Sequence, residues 1–325
     1  MNINFTKSKY SGPLLLAAYG IFVIFFSLKN PVFQWDTIAY TACVKSIETK
    51  DISIIHHETY NEVKNSLGEQ KFKWLTEDNQ YREALAKNPD YFNQQLNLYK
   101  VKPLYIGVLY LLAKIGFNPV WSTLYFSIFC SLACLFMIFI WLCRYYKRNY
   151  CALLTIILGI FANILAVSTE STPDAFSTLL LLLGLFYLFE KNRFILGNSI
   201  LSLSIFARND NLIFIQLILI YALFLNRGKT TLSIRLKIFL VINLVSYLLI
   251  NHYAGAYDWW RFFHHSFYFP NPEIANFQHP FSFDLYSAKV IKGLTQFGKP
   301  FNLLLIFLTG LILFHWKNNM RNIRD

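Results

Sequence analysis

The apolar runs decide what this chain becomes. Near-continuous stretches of Leu, Ile, Phe and Val occupy residues 13–28, 103–117, 120–143, 151–168, 175–189, 194–206, 212–225, 238–250 and 301–316. So much contiguous apolar surface needs lipid as its solvent. Of the 325 residues 55% are hydrophobic and only 15% charged, against about 25% charged in a soluble globular chain. The runs are too long and too evenly apolar for the alternating ten-residue strands of a membrane barrel. The predicted fold class is therefore all-α: a polytopic integral membrane protein with 8–9 membrane helices and two extracytoplasmic loop regions. Crossing about 30 Å of hydrocarbon takes roughly 20 helical residues, so the shorter runs extend into flanking Tyr, Trp, Asn or Lys.

Charge then sets the orientation. The formal net charge is +12. Fourteen cations lie in short segments beside apolar runs: Lys7, Lys9, Arg144, Lys147, Arg148, Lys191, Arg193, Arg227, Lys229, Arg235, Lys237, Lys317, Arg321 and Arg324. Only Glu190 and Asp325 accompany them, and the remaining cations and acids balance. An excess confined to such segments is the positive-inside pattern rather than a polyanion site. No nucleic-acid partner is expected, and both termini are assigned to the cytoplasm of a bacterial inner membrane.

This orientation divides the chain into a tail with a first helix (1–29), an outer loop with membrane-surface helices (30–102), a helix bundle (103–251), a second outer loop rich in aromatics and His (252–300), and a last helix with a basic tail (301–325). The first run lacks a small-x-small cleavage site and reads as a retained helix. Two crossings between 103 and 143 would leave Arg144, Lys147 and Arg148 outside; the charge pattern is preferred, which makes 103–117 a tilted or incompletely inserted helix. In the first loop, 77–87 reads as a helix stopped by Pro89. Tyr81, Leu85, Tyr91, Phe92, Leu96 and Tyr99 give this region an apolar face, either on the membrane surface or packed on the protein. The five cysteines read as small buried hydrophobes.

Four polar constellations stand at the outer ends of apolar runs. Asp36 follows the first run directly, between Trp35 and Tyr40. A carboxylate beside hydrocarbon is expensive unless used or paired, so it is either a general base or a helix cap. Lys102 precedes Pro103, which predicts extended backbone there, and Tyr105 follows. Its ammonium sits at headgroup depth, either binding a lipid phosphate or snorkelling. Glu170 and Asp174 lie in a short link where Thr172 reads as an N-cap before Pro173. Arg208 and Asp210 interrupt two short runs, either as an ion pair or with Arg208 as a second cation for phosphate. The histidines lack zinc spacing, and there is neither a nucleotide-phosphate loop nor a serine-nucleophile elbow. No metal and no cofactor are expected.

With these residues in hand, the chain resembles the GT-C superfamily of membrane glycosyltransferases, in the branch of protein O-mannosyltransferases and lipid A aminoarabinose transferases, over roughly residues 13–225. Trp35-Asp36-Thr37-Ile38-Ala39-Tyr40 is similar to the acidic element after the family's first helix. Lys102-Pro103-Leu104-Tyr105 is similar to a Lys-Pro-Pro-Leu-Tyr element with one proline missing. Thr172-Pro173-Asp174 and Ala207-Arg208-Asn209-Asp210-Asn211 look like the later acidic and basic elements. The resemblance implies an all-helical GT-C fold and inverting transfer of a sugar from a polyprenyl-phosphate donor to an extracytoplasmic lipid, glycan or protein acceptor. It implies Asp36, or else Glu170 or Asp174, as the catalytic carboxylate. It also implies Lys102 and Arg208 on the donor phosphate, with Trp35, Tyr40, Tyr105 and Asp210 in support. Many family members carry a second acid where this chain has Thr37, which leaves the choice of carboxylate open. A transporter or flippase of a lipid-linked glycan would use the same cations without a base, and a non-catalytic membrane subunit would need neither.

Overall fold

The computed structural model describes residues 11–225 and 230–297. Every regular element among them is helical, and the one strand-like feature is an isolated parallel bridge between Val32 and Glu170. The elements are α1 (Ser11–Lys29), α2 (Trp35–Lys45), α3 (Ile52–Leu67), α4 (Glu69–Glu77), α5 (Gln80–Lys87), α6 (Pro89–Leu96), α7 (Pro103–Lys114), α8 (Pro119–Leu142), α9 (Arg148–Phe161), α10 (Ile164–Thr169), α11 (Asp174–Leu185), α12 (Phe194–Ala207), α13 (Asn211–Leu225), α14 (Thr230–Ala254), α15 (Trp259–Phe267) and α16 (Phe283–Phe297). A π-helical turn, Phe186–Glu190, continues α11. The described residues form two compact units, the larger holding α1 to α14 with Pro272–Ile274 and the smaller holding α15 and α16.

Three helices, α1, α8 and α14, are long and apolar enough to cross a membrane. α7, α9, α12 and α13 are apolar but shorter. Phe25 on α1, Leu217 and Ile220 on α13, and Val241 and Leu248 on α14 are exposed, a distribution compatible with a lipid bilayer. The last predicted span, 301–316, and Lys7, Lys9, Arg227, Lys229, Lys317, Arg321 and Arg324 lie outside the described residues.

Within the larger unit, side-chain and backbone contacts give the long helices their directions. α1 begins where the Gly12 N–H donates to Asn149 Oδ1 at 3.1 Å and ends where the Ser27 and Ser168 hydroxyls meet at 2.7 Å. α9 and α10 therefore run beside it in the same sense. α11 returns from Asp174 to Glu190, which meets Arg144 and Tyr145 just beyond α8. α12 runs back antiparallel to α11, with Gly184 against Leu201 and Gly197 against Leu188. α14 lies parallel to α12, since Phe194 meets Phe239, Ser202 Oγ donates to Asn243 Oδ1 at 2.6 Å, and Asn209 meets Asn251. One end thus gathers Arg144, Lys147, Arg193 and Arg235; the other gathers Asp174, Arg208 and the α2–α7 region.

α7 does not travel between the ends. Its 12 residues span about 18 Å, and both its termini touch the α2 region: Lys102 Nζ donates to the Tyr40 hydroxyl, and Lys114 Nζ pairs with Glu48 Oε1 at 2.7 Å. The chain turns at Gly116, whose φ of +96° is a left-handed conformation suited to glycine. α8 then starts on the same side, where Asn118 Nδ2 donates to Glu62 Oε1 at 2.6 Å and to Ser66 Oγ at 2.9 Å.

The 30–102 segment is a folded layer. Leu85, Phe92 and Leu96 are buried in one core with Ile38, Tyr40, Tyr105 and Leu124, so the apolar face of this region packs on the protein. Pro89 differs from its expected part as a stop. It opens α6 at the first helical position, where its missing N–H is harmless, and the Asn88 side chain caps the same helix by accepting from Asp90 N and Tyr91 N.

In the smaller unit, Asp258 caps α15 by accepting from Arg261 N at 2.9 Å. Trp260 Nε1 donates to the His279 carbonyl at 3.1 Å, and the His264 and His279 rings stack at 5.0 Å. Burial, then neighbouring His264, pushes His265 down to about 4.

Candidate functional site

The site begins where α1 stops. Val32 N donates to the Thr169 carbonyl at 2.9 Å, which ties the exit of α1 to the end of α10. Phe33 is buried edge-on against Trp121, with ring centroids 5.1 Å apart. Gln34 in extended conformation then starts α2 without a side-chain cap. Asp36 consequently sits inside the first turn and is not the N-cap that the alternative reading required. A carboxylate in that turn is favoured by the helix dipole.

Its partner comes from a distant turn. The Tyr99 hydroxyl donates to Asp36 Oδ1 at 2.8 Å. Tyr99 follows α6 in a tight run where Tyr99 N donates to the Leu96 carbonyl and Lys102 N to the Tyr99 carbonyl. That run presents Tyr99 and Lys102 together. Lys102 Nζ donates to the Tyr40 hydroxyl at 2.5 Å and lies 5.1 Å and 5.3 Å from the Tyr40 and Tyr99 ring centroids, within cation–π range. Its backbone, at φ −121° and ψ 55°, is less extended than Pro103 alone predicts.

Tyr40 is the hub. It is fully buried, edge-on to Tyr99 at 5.3 Å and to Tyr105 at 4.9 Å, while Trp35 lies 5.8 Å from Tyr99. Burial first, and then the Asp36 charge, raise the Tyr40 and Tyr99 hydroxyls well above their usual range, so both remain proton donors. Burial depresses Lys102; Arg208 adds to that effect, and the charges of Asp36 and Asp210 oppose it. Lys102 thus feels Asp36, Arg208 and Asp210 without a direct ion pair to either acid. Among neutral hydroxyls and aromatic faces its charge is solvated and not cancelled.

The other predicted residues resolve differently. Arg208 follows α12 and is engaged on both sides: its guanidinium meets Asp174, while Nε and Nη2 reach Asp210 Oδ1 and Oδ2 at 3.0 Å and 2.6 Å. The fold builds the ion pair, not the free second cation. Thr172 is not an N-cap, because α11 starts after Pro173; its hydroxyl instead donates to Asp174 Oδ2 at 2.9 Å. Glu170 sits at the Val32 bridge, half-buried and with no hydrogen bond or ion pair from its side chain among the described residues. The structure therefore assembles Trp35, Asp36, Lys102 and Tyr105 around the Tyr40–Tyr99 pair, with the Asp174–Arg208–Asp210 group in electrostatic reach and Glu170 sharing none of these contacts.

In the sequence Tyr99 stands out only as part of an apolar face. The available signal was its position three residues before Lys102, in a turn closed by Pro103. Among the described residues no group of three His, Cys, Asp or Glu side chains is placed to hold a metal. No family model matches the chain, and no curated protein or solved structure is significantly similar to it.

Proposed function

We propose that the chain is an inverting membrane glycosyltransferase that moves a sugar from a polyprenyl-phosphate donor to an extracytoplasmic lipid, glycan or protein acceptor. The reading follows the resemblance to the GT-C superfamily. One observation carries it: a carboxylate and an ammonium, Asp36 and Lys102, are held on one Tyr40–Tyr99 pair without neutralising each other. The acceptor hydroxyl oxygen attacks the anomeric carbon while its proton passes to Asp36. The bond from that carbon to the phosphate oxygen breaks, and its electron pair leaves with the lipid phosphate, which Lys102 receives. Tyr99 orients the base. Arg208 holds Asp174 and Asp210 and so shapes the field around the ammonium.

In this reading the membrane is also crossed by the shorter helices other than α7, with α10 and the π-helical turn lengthening α9 and α11. Of the 8–9 membrane helices, eight cross and α7 does not; the apolar run 301–316 is read as the last crossing, which leaves both termini facing the cytoplasm. The opposed placement of the Arg144–Arg235 end and the Asp36 end supports that topology. An impermeant thiol reagent applied to intact cells should label a cysteine replacing Ser66 and spare one replacing Asn192.

The deciding experiment measures release of labelled sugar from a polyprenyl-phosphate donor by the purified protein and by Asp36→Asn. Transfer by wild type and its loss in the variant, with donor binding retained, is the expected result. Movement of the intact lipid by both forms, with no sugar released by either, would replace the transferase with a flippase.

A further inference from the structure

The end of the larger unit away from Asp36 has its own polar feature, which the proposed chemistry leaves unused. A shallow depression of about 510 Å³ lies between the start of α12 and the second turn of α14, lined by Arg193, Phe194, Ile195, Leu196, Ser199 and Arg235. Two guanidinium groups share it with three apolar side chains, of which Ile195 and Leu196 are exposed. No acid lines it. Glu190, the acid in the adjoining π-helical turn, is engaged by Arg144 and Tyr145, and neither Arg193 nor Arg235 has an ion-pair partner among the described residues.

The backbone beneath the arginines is constrained. Arg193 N donates to the Tyr187 carbonyl at 2.9 Å, and Lys191 N donates to the Phe186 carbonyl. Gly197 lets α12 close on the π-helical turn: a Cβ there would lie 2.7 Å from Leu188 N. Phe194 is fixed edge-on to Phe239 of α14 at 5.9 Å. Arg193 is thus presented from a fixed turn and Arg235 from the flank of the parallel helix, over an apolar floor.

We infer that this depression is a binding site for an anionic phospholipid, with the headgroup phosphate between Arg193 and Arg235 and the upper acyl chains along Phe194, Ile195 and Leu196. Guanidinium groups suit the assignment because their planar fork matches phosphate oxygens, and basic pockets between membrane helices are a recurrent means of holding acidic headgroups. The exposed apolar lining selects a lipid over a free phosphate, which has nothing to place there. The inference needs only the membrane location of the protein and is independent of the transfer chemistry.

The test uses the full-length protein in mild detergent. Bound lipid is counted by native mass spectrometry, and thermal stability is followed on adding phosphatidylglycerol, phosphatidylcholine or inorganic phosphate. Retention of phosphatidylglycerol and an upward shift in Tm with that lipid alone are expected. Arg193→Ala and Arg235→Ala should each weaken its binding about tenfold, the Lys replacements should restore part of it, and Lys147→Ala, at the same end but outside the depression, should not change it. Equal stabilisation by phosphatidylcholine would overturn the site, as would equal losses in Lys147→Ala. Equal stabilisation by inorganic phosphate would replace the lipid with a free anion. If an Ala variant misfolds, the Lys variant with the same lipid series decides the matter.

Discussion

The two ends of the larger unit solve the problem of charge near hydrocarbon in opposite ways. At the Asp36 end, acids and cations occur together and all but Glu170 of the predicted site charges are given neighbours: Asp36 by Tyr99, Lys102 by Tyr40, and Arg208 by Asp174 and Asp210. At the Arg193 end the described cations include Arg144, Lys147, Arg148, Arg193 and Arg235, and among the described residues the one ion pair they make is Arg144 with Glu190. The supporting packing differs as well. Aromatic rings and hydroxyls build the first end, whereas close backbone approach at Gly12 and Gly197 builds the second. An end whose charges are organised from within is suited to directing charge during a reaction. An end with unbalanced charge takes its partners from the surroundings.

The sharpest separation should come from Asp36→Asn. It keeps the shape and the Tyr99 contact but cannot accept a proton, so transfer measured by sugar release should fall by about 10²–10⁴. Lipid retained at the arginine depression should be unchanged. Next in size is Lys102→Ala, which should weaken donor binding by about 1.5–3 kcal/mol, the range for a hydrogen bond to a charged group, measured by titration with a non-hydrolysable donor. A loss of the same size in Arg208→Ala would mean that the carboxylates do not hold that guanidinium.

The same two ends should part company with pH. Because burial lowers Lys102 from its usual 10.5, its positive charge is present below that depressed value and is lost as pH rises through it. Donor affinity should therefore decline at a lower pH than an ordinary lysine allows, while arginine, charged above pH 12, keeps the depression at the other end competent. Parallel pH titrations of both ligands would settle whether the ends behave differently. Gly197→Ala tests the packing side of the contrast. Its new methyl meets the Leu188 backbone, and the melting transition should report a loss of about 1–3 kcal/mol, with transfer per folded molecule preserved. The smallest change is expected from Tyr99→Phe, which removes one hydrogen bond worth about 0.5–1.5 kcal/mol and should lower kcat more than it raises KM.

Local features carried much of this into view. Apolar runs announced helices, and Trp35-Asp36 and Lys102-Pro103 marked the chain's polar exits because each interrupts or follows such a run. The cations after α8 favoured an incompletely inserted α7, and in the fold that helix is 12 residues long with both termini against the α2 region. What stayed hidden depends on contacts across long separations. The Tyr99–Asp36 bond joins residues 63 apart, and Arg208 reaches back to Asp174 from the next helix. Periodicity reports which face is buried but not which residue meets which. Thr172 shows a subtler limit: its spacing from Pro173 suits a cap, yet its hydroxyl bonds to the neighbouring Asp174 carboxylate.

The short segment Pro272–Ile274 sets a timetable for assembly. Glu273 engages the Tyr91 hydroxyl, 182 residues earlier, and the Pro272 carbonyl accepts from Gln95 Nε2 at 3.0 Å, across 177 residues. Gln95 in turn accepts from Tyr81, whose ring lies 6.4 Å from Trp35. During synthesis α6, which positions Tyr99 and Lys102, leaves the ribosome long before this clasp exists. Contacts so distant along the chain form late because closing the intervening loop is entropically unfavourable. A ribosome-bound chain halted before residue 272 would carry every residue of the Asp36 cluster, yet α6 would still lack the bonds that fix its outer face.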